Sequence, residues 1–279
     1  MPEFSKQFHH VFCIISDERV FAAKSPAVFN QVMAKTGFNA TYVPFRVEEK
    51  YLGEAVRSLK ILGIAGANVA VPYKETVIPY MDAVSESANI IGAINTIAIK
   101  DDRTKGYNTN AIGIMDALEE AGFNPAGKTA LILGAGGAAK AVAFVLNWLQ
   151  AEKIYITGRN EAKARNVASR VRGVPLSFKD LAKNPVPAHI IVNATTVSRV
   201  EESPEMAKLV ENMNISDCEL IFDLNYGREP NLWQALAEHS QLPFMDGLST
   251  LIHQARNSLA LWTGFDVSPR DFKNALSDQ

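Results

Sequence analysis

A segment near the middle of the chain limits the folds open to it more than any other. Residues 128–133, KTALIL, form an apolar run of strand length. GAGGAAKAVAFVLNWLQ follows, and from residue 153 a second apolar run, KIYIT. Apolar strand, glycine-rich turn, Ala-rich helix and second strand, in that order, describe a βαβ unit with a nucleotide-binding turn. Gly134 permits the tight turn. Gly136 lets backbone approach a pyrophosphate at the positive end of the helix, and Gly137 opens that helix. A glycine-rich turn alone is equally consistent with a plain structural bend. The ordered context is what points to a dinucleotide.

The tip of the second strand then separates NADP from NAD. An acidic residue there accepts from the free 2′-hydroxyl of the adenosine ribose. This chain instead has Gly158-Arg159-Asn160, with Lys163 and Arg165 just beyond. A guanidinium grips a 2′-phosphate in bidentate fashion, and Lys163 adds a second positive charge. The alternative is a solvated basic helix start. Cations are unfavourable at a helix N-terminus, so this clustering predicts an anionic guest and NADP as the cofactor.

Strand and helix signals also alternate ahead of this unit. Residues 10–16 (HVFCIIS), 40–47 (ATYVPFRV) and 67–72 (ANVAVP) read as strands. Between them, Ser25 is expected as an N-cap with Pro26 at the first helical position, and Gly37 as the stop. A second helix is expected over about 50–62. Later strands are expected at 188–193 (AHIIVN) and 219–224 (ELIFDL), and an amphipathic helical segment from about residue 248. The alternation implies an α/β fold with mainly parallel sheets. The expected joints lie near 106–110 and 245–247. They give a substrate-binding α/β domain at 1–109 and 246–279, and a Rossmann-type NADP-binding domain at 110–245. The final helix is expected to return to the first domain, with a ligand cleft between the two.

Composition removes several function classes. With 279 residues and a net charge of −2, the chain has no basic field for nucleic acid or a membrane surface. No apolar run approaches the roughly 20 residues of a membrane span. MPEFSKQFHH lacks the apolar core of a signal peptide. Cys13 and Cys218 suit no metal-ligand spacing, which favours no metal and a reduced, cytoplasmic setting. The expected partner is a small molecule, and the expected state a monomer or homodimer.

Three further runs carry a resemblance: NVAVPYKE (68–75), IGAINT (91–96) and GYNTNAIG (106–113). So do NATTV (193–197), FDLNY (222–226) and DGLSTLIHQA (246–255). In order and over nearly the whole chain, they resemble the shikimate and quinate dehydrogenases. The resemblance implies reversible hydride transfer between NADP(H) and a cyclic hydroxy or keto acid. It implies Lys74 as the catalytic lysine, with position 110 as its partner. Asn68, Asn95 and Gln254 would bind substrate hydroxyls, Ser25 a carboxylate, and Tyr226 would line the pocket. Ala138, Asn160, Thr195 and Gly247 would join the glycines, Arg159 and Lys163 at the cofactor. The chemistry agrees, because a partly desolvated lysine serves as base for alcohol oxidation and as acid for ketone reduction.

The chain also departs from that pattern. Asp17 and Arg19 stand where the family has a glycine-proline pair, and Ala22 and Ala23 replace a His-Ser. Ala70 replaces a substrate-touching threonine, and Asn110 replaces the aspartate paired with the lysine. Ser198 and Arg199 replace a Gly-Met beside the nicotinamide. Each unmade polar contact costs about 1–3 kcal/mol, so shikimate is expected to bind weakly. Three readings stay open: a shikimate-type dehydrogenase, a same-fold enzyme with a different substrate, and a non-catalytic NADPH or ring-acid binder.

Overall fold

The structure, a computed structural model, describes residues 8–277. Residues 1–7, which hold most of the N-terminal stretch read for a signal peptide, lie outside the described residues. The described chain divides into two compact units. One runs up to Ile112 and resumes at Ile252; the other is Gly113–Leu251.

The first unit is built on a six-stranded mixed sheet. Its strands are β1 (His10–Ser16), β2 (Ala40–Arg46), β3 (Gly66–Val69), β4 (Ala83–Val84), β5 (Thr96–Lys100) and β6 (Arg103–Tyr107). Their order is β2-β1-β3-β5-β6-β4. β1 pairs in parallel with β2 and β3, as the alternation predicts. β5, however, runs antiparallel to both β3 and β6, so this sheet is less parallel than expected. The β5–β6 hairpin turns through Asp101 and Asp102, both left-handed at φ 50° and 57°. Two-residue hairpins of the I′ type require positive φ at both central positions, and aspartate tolerates it better than most residues.

β1 is covered on both faces, which is why it reads as a continuous apolar run. Phe12 stacks on Trp262 at 4.9 Å, and Phe29 on Tyr42 at 4.5 Å, beneath α1 (Ser25–Thr36). Cys13 and Ile15 face the opposite way, into a cluster with Leu52, Val56 and Leu59 of α2 (Leu52–Ile61). Gly66 is required by this packing: a Cβ there would lie 2.3 Å from Trp262 Nε1. A short helix α3 (Glu86–Ile91) precedes β5.

The start of α1 corrects the expected cap. Val28 N–H donates to Lys24 O at 3.1 Å, so Lys24 is the N-cap, Ser25 the first helical residue and Pro26 the second. Proline is tolerated there because that N–H has no helical partner to lose. The Ser25 hydroxyl therefore makes no capping bond. The expected second helix also begins later, after a 3-10 turn over Glu49–Tyr51.

The second unit carries β7 (Thr129–Leu133), β8 (Lys153–Thr157), β9 (Val174–Leu176), β10 (Ile190–Asn193), β11 (Leu220–Asp223) and β12 (Phe244–Met245). Every pairing is parallel, in the order β12-β11-β10-β7-β8-β9. Helices α4 (Thr109–Glu120), α5 (Gly137–Trp148), α6 (Glu161–Arg170), α7 (Phe178–Lys183), α8 (Pro204–Glu211) and α9 (Leu232–His239) join or flank these strands. The chain then enters α10 (Gly247–Thr263) and α11 (Pro269–Ser277). The last of these packs on α1, with Phe272 edge-on to Phe29 at 5.8 Å. No helix among the described residues is long and apolar enough to cross a membrane.

Candidate functional site

In the second unit the chain leaves β7 outward through β8 and β9, then returns to the other side of β7 as β10. The carboxyl edge between β7 and β10 is therefore the point where strand order reverses, the usual crevice for a nucleotide. Gly134 sits there at φ 126°, and a Cβ on it would lie 2.6 Å from Ala194 O and 3.2 Å from Thr195 N. The turn after β7 thus rests directly on the loop after β10. A Cβ on Gly136 or Gly137 would meet nothing within 4 Å. Gly136 is the N-cap of α5, and the first bond of that helix is Lys140 N–H to Gly136 O at 3.0 Å. The preceding N–H groups have no helical partner and carry the positive end of the helix dipole. An open cradle of donors at this place fits a pyrophosphate.

At the tip of β8, Asn160 caps α6 by accepting from Lys163 N–H at 3.0 Å. Arg165 pairs with Glu161 at 3.2 Å, so the acid in the first turn is engaged. Arg159 and Lys163 are exposed and make no ion pair among the described residues. Two free cations with no free acid suit a 2′-phosphate. These residues fit NADP.

The loops after β10 and β11 are held by a group the sequence reading passed over. Asp223, fully buried, accepts from Asn193 Nδ2 at 2.8 Å, Ser198 Oγ at 2.7 Å and Asn231 Nδ2 at 2.9 Å. It also accepts from Asn225 N and Nδ2, each at 3.0 Å. Thr195 is tied into the same knot, its hydroxyl donating to Asn193 Oδ1 at 2.7 Å. The Ser198 hydroxyl is spent inside this network. Arg199 is half-buried, and its Nε is sealed without a partner. Tyr226 is half-buried, and burial pushes its phenol up. Gly247 N–H donates to Asn225 O at 2.9 Å, and a Cβ at this position would strike Leu224 O.

In the first unit the lysine sits on a turn docked to β5's approach. Tyr73 is buried, with its hydroxyl on Val47 O at 2.6 Å, and this fixes the residue before Lys74. Lys74 O accepts from Ile94 N at 2.7 Å, and Val69 N donates to Asn95 O at 2.9 Å. Lys74 is half-buried and makes no ion pair among the described residues. Burial pushes its ammonium down to about 8.

Beside that turn lies a chain of amides and hydroxyls. Asn95 Oδ1 accepts from Thr109 N at 2.7 Å. Its Nδ2 lies 2.9 Å from Thr109 Oγ1, 3.0 Å from Asn110 Oδ1 and 3.1 Å from Gln254 Oε1. Beneath it, Thr96, Thr109 and Ser258 form a closed ring of hydroxyls at 2.9, 2.9 and 3.0 Å. Asn68 is occupied inside this network: its Oδ1 accepts from Tyr42 at 2.7 Å, and its Nδ2 reaches Asn95 O, Thr96 and Ser258. Sequence reasoning missed Ser258, although it sits four residues after Gln254 on the same helical face.

Near the end of β1, Asp17 accepts from Arg19 through Nε at 2.8 Å and Nη2 at 2.6 Å. That guanidinium holds the Asp17 carboxyl down at about 2. Ala23 and Ala70 are half-buried, and neither offers a side-chain polar atom.

A parallel sheet in this order with an open glycine cradle defines an α/β dinucleotide-binding protein. The chain belongs to the shikimate dehydrogenase family. Residues 16–97 match the family described as shikimate dehydrogenase substrate binding domain, and residues 117–246 the one described as shikimate / quinate 5-dehydrogenase. The shikimate dehydrogenase (NADP(+)) of Desulforamulus reducens is 37% identical over 264 residues, covering 91% of this chain and 90% of that protein. That of Moorella thermoacetica is also 37% identical, covering 86% and 83%. Among solved structures, the Thermus thermophilus shikimate 5-dehydrogenase in complex with NADP(H) and shikimate superposes with a TM-score of 0.84. It is 27% identical, with 96% of this chain and 99% of that one covered.

Proposed function

We propose that the chain transfers hydride reversibly between NADP(H) and a cyclic hydroxy or keto acid of the shikimate/3-dehydroshikimate type. The observation that carries this reading is Lys74: a half-buried amine, pushed down to about 8 by burial, without an ion-pair partner among the described residues, on a turn whose carbonyl accepts from Ile94 N–H, next to Asn95. Gly134, Gly136, Gly137 and Ala138 would hold the pyrophosphate. Arg159, Asn160 and Lys163 would take the 2′-phosphate, with Thr195 and Gly247 beside the dinucleotide. The bound nicotinamide supplies or accepts the hydride. Lys74 does the acid–base work: its neutral amine takes the hydroxyl proton during oxidation, and its ammonium returns a proton to the carbonyl oxygen during reduction.

Asn95, Asn110 and Gln254 orient the ring, Ser25 serves its carboxylate, and Tyr226 lines the pocket. Asn68, with its amide already engaged by Tyr42, Asn95, Thr96 and Ser258, braces the others. Ala23 and Ala70 leave the pocket less polar, which favours a ring with fewer hydroxyls than shikimate. We assign residues 1–109 and 246–279 to substrate and 110–245 to the cofactor. Two free, buried thiols, Cys13 and Cys218, suit a reduced cytoplasm. The test is NADP+ reduction by the purified protein over a panel of cyclic hydroxy acids. Turnover abolished by Lys74→Ala supports the reading; tight NADPH binding with no turnover on any acid overturns it.

A further inference from the structure

One backbone hydrogen bond settles the orientation of three side-chain amides. The Thr109 N–H can only donate, and it meets the Asn95 side chain at 2.7 Å. The atom it meets is therefore Oδ1, and the other end of the Asn95 amide is the NH2 group. That NH2 group lies 3.0 Å from Asn110 and 3.1 Å from Gln254. Donors need acceptors, so both amides turn their oxygens toward Asn95 and their own NH2 groups away. The same NH2 group also reaches Thr109 Oγ1 at 2.9 Å, so its two hydrogens are shared among three oxygens. An NH2 group turned inward at 110 or 254 would set donor against donor.

Asn110 Nδ2 and Gln254 Nε2 have no protein partner among the described residues, and neither atom is sealed from solvent. The face these residues offer a ligand is made of hydrogen-bond donors. We infer that Asn110 and Gln254 make this a site that selects a hydrogen-bond acceptor on its ligand, so that a ring ketone is held in preference to the corresponding ring alcohol. A hydroxyl can accept from the same NH2 groups, but neither amide takes its hydrogen. The neutral Lys74 amine can, so below about pH 8, where Lys74 is the ammonium, that hydrogen goes unmet at a cost of about 1–3 kcal/mol. The inference rests on the ring-acid reading given under Proposed function. It adds that the chain is biased toward the keto form through position 110.

Asn110→Asp tests this with a single-group exchange. The inward oxygen stays on the Asn95 NH2, while the outward NH2 becomes an acceptor oxygen. Titration calorimetry on the cofactor-free chain, where no turnover occurs, gives dissociation constants for 3-dehydroshikimate and for shikimate. The unmodified chain should bind the ketone at least about fivefold more tightly. Asn110→Asp should shrink or invert that ratio by a similar factor. Gln254→Glu makes the same exchange at the second amide and replaces the first variant should it not fold. An identical ketone-to-alcohol ratio in the unmodified and exchanged chains overturns the inference and leaves the ring-acid function standing. Binding of neither ligand, with NADPH still bound, overturns that function and the inference together.

Discussion

Lys74 loses hydration on burial, and with asparagine rather than aspartate at position 110 it gains no compensating charge there. The neutral amine is favoured, which is why the group is pushed down to about 8. Alcohol oxidation uses that neutral form, so its rate should rise through this pH and level off above it. Asn110→Asp would raise the Lys74 pKa by placing a negative charge beside it, moving the rising limb to higher pH. The aspartate would also orient the ammonium, so the variant's plateau rate should be higher. Profiles of rate against pH for both proteins, with Lys74→Ala as the blank, decide the matter: coincident profiles remove the role of position 110, and full activity in the blank removes the lysine. At this scale the sequence shows which residue types meet, because NVAVPYK and GYNTN are local runs. It does not show that Asn68 is spent on Tyr42, or that Ser25 is helical rather than capping. Those outcomes depend on Tyr42, Ser258 and Lys24, which come from other strands, another helix or the chain's own local backbone geometry.

Elements were legible where one strand lies buried between two layers, as in β1, β7 and β10, since such strands read as unbroken apolar runs. The short or edge strands were not: β4, β9 and β12 are two or three residues long. The β5–β6 hairpin escaped because its turn is Asp-Asp rather than a glycine-containing pair. Asp223 escaped for a different reason. A carboxylate at the end of an apolar strand is read as solvated, whereas here it gathers donors from Asn193, Ser198, Asn225 and Asn231. Removing it leaves those buried donors unpaired at about 1–3 kcal/mol each, without full additivity. Asp223→Ala should therefore lower unfolding stability by about 3 kcal/mol or more and weaken NADPH binding by loosening the loop that supports Gly134. Urea denaturation and NADPH titration measure the two effects. An unchanged midpoint would mean that the network is not structural.

The whole molecule divides its specificity between two units of one chain. Arg159 and Lys163, which we propose read the 2′-phosphate, lie in Gly113–Leu251 and make no ion pair among the described residues. Arg159→Ala removes a charge-assisted contact of about 1.5–3 kcal/mol. The NADP-over-NAD preference should then narrow more than tenfold, and equal affinities for both cofactors in the unmodified chain would contradict the assignment. The residues we propose for substrate choice lie in the unit ending at Ile112 and resuming at Ile252. On the proposed reading, Ala23 and Ala70 offer no hydroxyl and Asn110 no carboxylate to the substrate. Shikimate should accordingly be a poor substrate of the unmodified protein. Restoring Ser at 23, Thr at 70 and Asp at 110 together supplies two hydroxyls that can donate to its carboxylate or pair with its ring hydroxyls, and one carboxylate that accepts from a ring hydroxyl. Residues that act on one ligand are not additive, so the changes belong in one protein, Ala23→Ser with Ala70→Thr and Asn110→Asp. The combined variant should raise kcat/KM on shikimate by at least about tenfold, one contact's worth of about 1.4 kcal/mol. Its affinity for NADPH should stay unchanged, because none of the three lies in the unit that carries Arg159 and the glycine turn. Efficient shikimate turnover by the unmodified chain, or no gain in the triple variant with its fold intact, would show that these positions do not set substrate choice.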